Sequence, residues 1–200
     1  MMRVEAHLIG GFPGAGKTTL LRALLSQRSP AEHWALLLNA SGGIDTNSGI
    51  TVHSINGGCA CCSARAPFRA ALVQLLRSAR PHRLLIELSG AGDPAGILAV
   101  ISEADIAPAI TLRSTLCVVQ PRHLANADIV ANEIFRTQLH HADHVVLAAA
   151  PATQTADAMN ALSRLGVGHA AVTLIDDAGP ALLSAGAGNY SNDNSRRISS

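Results

Sequence analysis

Val4-Glu5-Ala6-His7-Leu8-Ile9-Gly10-Gly11-Phe12-Pro13-Gly14-Ala15-Gly16-Lys17-Thr18-Thr19-Leu20-Leu21 decides the fold. Val4 to Ile9 is an apolar run long enough for a buried strand, and it stops at glycines. From Lys17 to about Gln27 the leucines at 20, 21, 24 and 25 share one helical face. Between strand and helix, Gly11 to Thr18 matches the phosphate-loop pattern in the context that pattern requires. Its glycines let successive backbone N–H groups turn toward phosphate oxygens, and the starting helix adds its positive dipole end. Lys17 supplies a point charge for the β- and γ-phosphates, and the Thr18 hydroxyl is a ligand for Mg²⁺. Gly11, Gly14, Ala15, Gly16, Lys17, Thr18 and Thr19 are therefore the candidate nucleotide-binding residues. Lys17 is the only lysine beside fourteen arginines.

Working outward, apolar runs recur at 35–38, 51–55, 84–88, 112–119, 145–149 and 170–175, separated by helical patterns at about 66–79, 94–103, 125–141 and 154–165. Such alternation predicts an α/β fold with a doubly wound, mostly parallel sheet covered on both faces. Residues 1–185 read as one nucleotide-binding domain. Residues 186–200, rich in Gly, Asn and Ser, read as a disordered polar tail.

With 48% apolar and 14% charged side chains over 200 residues, the chain is globular. Its longest apolar stretches fall short of the roughly 18 residues of a bilayer span, and the N-terminus lacks a signal-peptide pattern. A cytoplasmic protein without membrane contact is expected. A net charge of +1 and five scattered aromatics argue against nucleic acid as a partner.

Two further segments carry chemistry. Leu84-Leu85-Ile86-Glu87-Leu88-Ser89-Gly90 delivers an acid at the C-terminal end of a strand, where α/β sheets bind ligands. Glu87 there serves Mg²⁺ or its waters, or is a surface or capping carboxylate, while Gly90 offers an N–H to a γ-phosphate. Gly57-Gly58-Cys59-Ala60-Cys61-Cys62 places three of the four cysteines within four positions beside flexible glycines. Soft thiolates of this kind select Zn²⁺ or Cu(I), and a closed zinc site wants a fourth ligand. His53 is the candidate outside ligand; a thiol redox site or inert thiols are the other readings. His141 and His144 read as a solvated helix end.

The order of these elements resembles the CobW-like metal-chaperone GTPases, relatives of HypB and UreG. The match comprises Gly11 to Thr18, Asn39 to Asp45, Gly58 to Cys62, Glu87-Leu88-Ser89-Gly90 with Asp93-Pro94, and Gln138-Leu139-His140-His141-Ala142-Asp143. The resemblance spans roughly residues 5 to 175. It implies a P-loop nucleotide hydrolase fold, GTP with Mg²⁺, slow hydrolysis by Lys17, Thr18, Glu87 and Asp45, and zinc held by Cys59, Cys61 and Cys62 for a client metalloprotein. Two segments depart from the family pattern. Asn39-Ala40-Ser41-Gly42 lacks the acid of the switch segment, and Ala148-Ala149-Ala150-Pro151 stands where the family reads guanine, leaving ATP as an alternative nucleotide. A non-catalytic module that binds nucleotide and metal is the rival reading.

Overall fold

Apolar runs become strands wherever the sequence predicts them, buried in the middle of the sheet and half-buried or exposed in its edge strands, with ends displaced by one or two residues. The computed structural model describes residues 3–38, 49–55, 65–148, 150–167, 170–177 and 182–183. In chain order its elements are β1 (Val4–Gly10), α1 (Lys17–Ser26), β2 (Trp34–Leu38), β3 (Thr51–Ser54), α2 (Arg65–Ala79), β4 (Arg83–Glu87), α3 (Pro94–Ile101), β5 (Ile110–Val119), α4 (Pro121–Leu124), α5 (Ala127–Ala131), α6 (Glu133–His140), β6 (His144–Leu147), α7 (Ala152–Arg164) and β7 (Ala171–Leu174). A 3₁₀ turn, Ile175–Asp177, follows β7.

The strands pair in parallel in the order β3-β2-β4-β1-β5-β6-β7. The chain fills one side of β1 first, through β4, and then crosses to the other at β5. The switch point therefore lies over β1, where such sheets bind ligands beyond the strand C-termini. The phosphate loop leaves β1 at that point.

Alternation along the strands sorts the core. Ile9, Leu36, Leu85, Leu116 and Val118 pack with Leu20, Leu21 and Leu24 of α1. Leu8, Leu37, Leu84 and Ile86 turn the other way onto Phe68 and Leu72 of α2 and Ile97 and Val100 of α3. Cys117, Val119, Val145 and Leu147 meet Phe135 and Leu139 of α6 and Leu162 of α7. Each fully buried leucine contributes about 2 kcal/mol of transfer free energy, so the rigid frame beneath the loop comes from these three clusters.

The predicted helix over 125–141 is broken into α5 and α6, with α4 before them. Asn126 accepts hydrogen bonds from the N–H groups of Asp128 and Ile129, and Asn132 accepts one from Phe135. Each asparagine caps a new helix rather than continuing the old one. The reading of His141 and His144 as one helix end also changes. His141 caps α6 and donates from Nδ1 to the Thr137 carbonyl, whereas His144 is buried at the start of β6. No described helix is long and apolar enough to cross a membrane.

Candidate functional site

Gly11 leaves β1 with φ of +144°, a conformation L side chains rarely adopt, and a Cβ there would stand 2.6 Å from the Val118 carbonyl oxygen. Gly16, at φ of +105°, is the residue before α1, and no side chain caps that helix. Ala15, fully buried, donates its N–H to Phe12. Among the described residues, the N–H groups of Gly14, Gly16, Lys17 and Thr18 have no acceptor. These orphan donors at a helix N-terminus, with no acidic residue in its first turn, form a nest for an anion. Thr18 is half-buried and Thr19 exposed.

Lys17 is buried, and its Nζ donates to the Gly11 carbonyl at 2.8 Å, closing the loop on itself. Burial lowers its pKa, and Glu87 with Cys117 counters the shift. Glu87 is not at the surface: it is 2% exposed at the end of β4, beside β1. Burial raises its pKa and Lys17 opposes this, while Oε2 has no hydrogen-bond partner among the described residues. A buried carboxylate oxygen without a donor suits a hard divalent cation with oxygen ligands. Cys117 is buried under the loop, its thiol pushed up to about 12 by burial, and so it is inert.

The turn after β4 is pressed against the loop. A Cβ on Gly90 would come within 2.7 Å of Pro13, so only glycine permits the approach. Asp93 caps α3 by accepting from the Ala95 N–H at 2.9 Å. Side chains to which the sequence reading gave no role complete the frame. Gln138 accepts from the Gly11 N–H and donates to Gly92, and Gln120 donates to the Gly14 carbonyl at 2.8 Å. Arg122 Nη2 lies 3.6 Å from the place a Gly14 Cβ would take. Phe12, His123 and Phe135 meet edge to face beneath the loop. Burial lowers the pKa of His123, with Arg122 and Lys17 adding to the effect. The only sequence signal for any of these was Gln138, as one position of a longer motif.

On the side of the sheet where a base would lie, β6 ends at Leu147, and Ala148, Ala150 and Pro151 offer no side-chain hydrogen bond. The turn at Ile175–Asp177 approaches Gly16: Ile175 Cδ1 is 3.9 Å from a Cβ built there, with Asp176 and Asp177 exposed. Asp45, Cys59, Cys61 and Cys62 lie outside the described residues, as do Ala40, Ala149 and the 186–200 tail. His53 is half-buried on β3. Among the described residues, no three His, Cys, Asp or Glu side chains group to hold a metal.

A family model for the CobW/HypB/UreG nucleotide-binding domain matches residues 5–167. The zinc chaperone YeiR of Escherichia coli (strain K12) is 43% identical over 148 residues, which are 71% of this chain and 45% of that protein. The Zn(II)-bound YjiA GTPase from E. coli shares the fold with a TM-score of 0.64 at 23% identity, over 87% of this chain and 57% of that one. HypB from Helicobacter pylori in complex with nickel has a TM-score of 0.58 at 18% identity, over 91% and 83%. The chain spans about half the length of the curated relatives it matches. Because the family match runs from β1 through the turn after α7, the chain belongs to the CobW/HypB/UreG family of nucleotide-binding domains.

Proposed function

We propose that this chain binds GTP with Mg²⁺ on Gly11 to Thr19, hydrolyses it slowly, and couples the nucleotide state to holding a transition metal for delivery. The observation that carries the reading is the phosphate loop itself. Orphan N–H donors open α1, and Lys17, bonded to the Gly11 carbonyl, feels the charge of Glu87 at the switch point of the sheet. Thr18 and Glu87 would hold Mg²⁺, which neutralises charge on the phosphates when bound. Gly90 would offer its N–H to the third phosphate and Asp45 would serve the other switch. Hydrolysis in such sites comes from positioning and charge neutralisation, so a slow intrinsic rate is expected.

The cargo reading places zinc on Cys59, Cys61 and Cys62, supported by the ligand chemistry of three clustered thiolates and by zinc chaperones among the relatives. A client metalloprotein would receive the metal. The test is zinc titration of the protein and of its Cys59→Ser, Cys61→Ser, Cys62→Ser triple variant, with GDP and with a non-hydrolysable GTP analogue. Uptake of one zinc should disappear in the variant. The affinity should differ between nucleotide states by about five- to 150-fold, with the reciprocal effect of zinc on nucleotide. Equal uptake by the variant would discard the thiolate site, and equal affinity in both states would discard delivery.

A second reading is a module that binds nucleotide and metal without turnover. Ala40, in the segment where the family has its switch acid, and Ala148 and Ala149, where it reads guanine, favour it. Phosphate release under saturating GTP separates the two readings.

A further inference from the structure

Gln138 stands on α6 and is 1% exposed, held by a helix whose Phe135 and Leu139 are locked into the core. Its Oε1 accepts from the Gly11 N–H at 3.1 Å. Its Nε2 donates to the Gly92 carbonyl at 2.8 Å and to the Gly90 carbonyl at 3.4 Å. The primary amide thus uses its acceptor and both its donors, and only one orientation satisfies an N–H on one side and two carbonyls on the other. A buried polar group satisfied on every side is a rigid tie, because losing any partner strands the others without water. Gly11 is the first residue of the phosphate loop. Gly90 and Gly92 belong to the turn that presses on Pro13. Two loops from different strands are therefore joined by one side chain from a third element.

Resting on the nucleotide-binding reading above, we infer that Gln138 is a positioning residue for the triphosphate state. It transmits the position of the Ser89–Gly92 turn to the Gly11 end of the phosphate loop. Among the described residues the Gly90 N–H has no acceptor, so a third phosphate drawing on that N–H displaces the turn. The Gly90 and Gly92 carbonyls move with it, and Gln138 follows or loses its bonds. A diphosphate, which does not reach Gly90, leaves the tie as it is.

Two variants separate the ends of the tie. Gln138→Glu keeps an acceptor for the Gly11 N–H but sets a carboxylate against two carbonyl oxygens. Gln138→Met keeps the volume and removes both functions. Affinities for GDP and for a non-hydrolysable GTP analogue, each in Mg²⁺, are measured by titration, with melting temperature alongside. In Gln138→Glu, the ratio of analogue affinity to GDP affinity should differ from the parent's by about tenfold or more. Gln138→Met should weaken both nucleotides and lower the melting temperature. An unchanged ratio of the two affinities in a folded Gln138→Glu variant would overturn the inference. Should that variant fail to fold, amide exchange in the parent decides. Replacing GDP by the analogue should change protection at Gly11 and at Ser89–Gly92 together; a change at the turn alone would overturn it. Failure of the parent to bind either nucleotide would overturn the phosphate-loop reading, and this inference with it.

Discussion

At Gly11 a Cβ would meet a backbone oxygen at 2.6 Å, whereas at Gly14 the nearest atom is the mobile end of Arg122, at 3.6 Å. Both residues have positive φ, so alanine is strained at each, but only Gly11 adds a collision with a carbonyl that cannot retreat from the sheet. Gly11→Ala should therefore cost at least about 2 kcal/mol and Gly14→Ala about 1 kcal/mol. Urea denaturation measures the difference, and equal costs would contradict the close approach to Val118. The glycines and Lys17 were legible in the sequence because the phosphate-loop pattern is local, with strand, loop and helix consecutive. Glu87 was legible as a position, yet its burial depends on β1 lying beside β4, and spacing could not decide between a surface and a site carboxylate. The role of Gln138 was not legible, since its partners lie 127, 48 and 46 residues away in sequence.

At the scale of elements, the strands were readable because a parallel sheet buried on both faces needs uninterrupted apolar runs. The stretch from Pro121 to His140 was not, because its apolar positions keep a helical period through two asparagines. Periodicity registers which side chains face the core and is blind to a side chain that bonds its own backbone. Asn132 caps the entry of α6, the helix that carries Gln138. Asn132→Ala should cost about 1 kcal/mol, and it should change the ratio of the affinities for the GTP analogue and GDP. A denaturation curve with a pair of titrations checks both, and an intact curve would mean the cap contributes nothing to stability.

Across the whole molecule, the centre of the sheet holds an acid-sensitive group. His7 on β1 is fully buried with Nδ1 2.8 Å from Ser114 Oγ, and burial, with Arg83 and Arg113, lowers its pKa to about 3. The unfolded chain protonates this histidine near its ordinary value and the folded chain does not. The unfolded state thus binds the extra proton between roughly pH 6.5 and 3. Stability is full above that window and declines as pH falls through it, by roughly 3 kcal/mol at pH 4. His7→Gln should flatten the dependence between pH 6.5 and 4 in denaturation series; an unchanged slope would assign the acid sensitivity to other groups.

Selectivity for the base also belongs to the assembled fold. With Ala148 and Pro151 beyond β6, GTP should be preferred to ATP by less than about tenfold in competition binding. A thousandfold preference would assign guanine reading to the Asp176–Asp177 turn beside Gly16.

The account rests on a phosphate held at the start of α1 by Lys17 and the orphan N–H groups. Isothermal titration of a non-hydrolysable GTP analogue in Mg²⁺ into the parent protein and into Lys17→Ala tests it, with circular dichroism to confirm that the variant folds. The account predicts one nucleotide bound per chain in the parent and an affinity about tenfold to a hundredfold weaker in a folded variant. Equal affinity in the two folded proteins would contradict it.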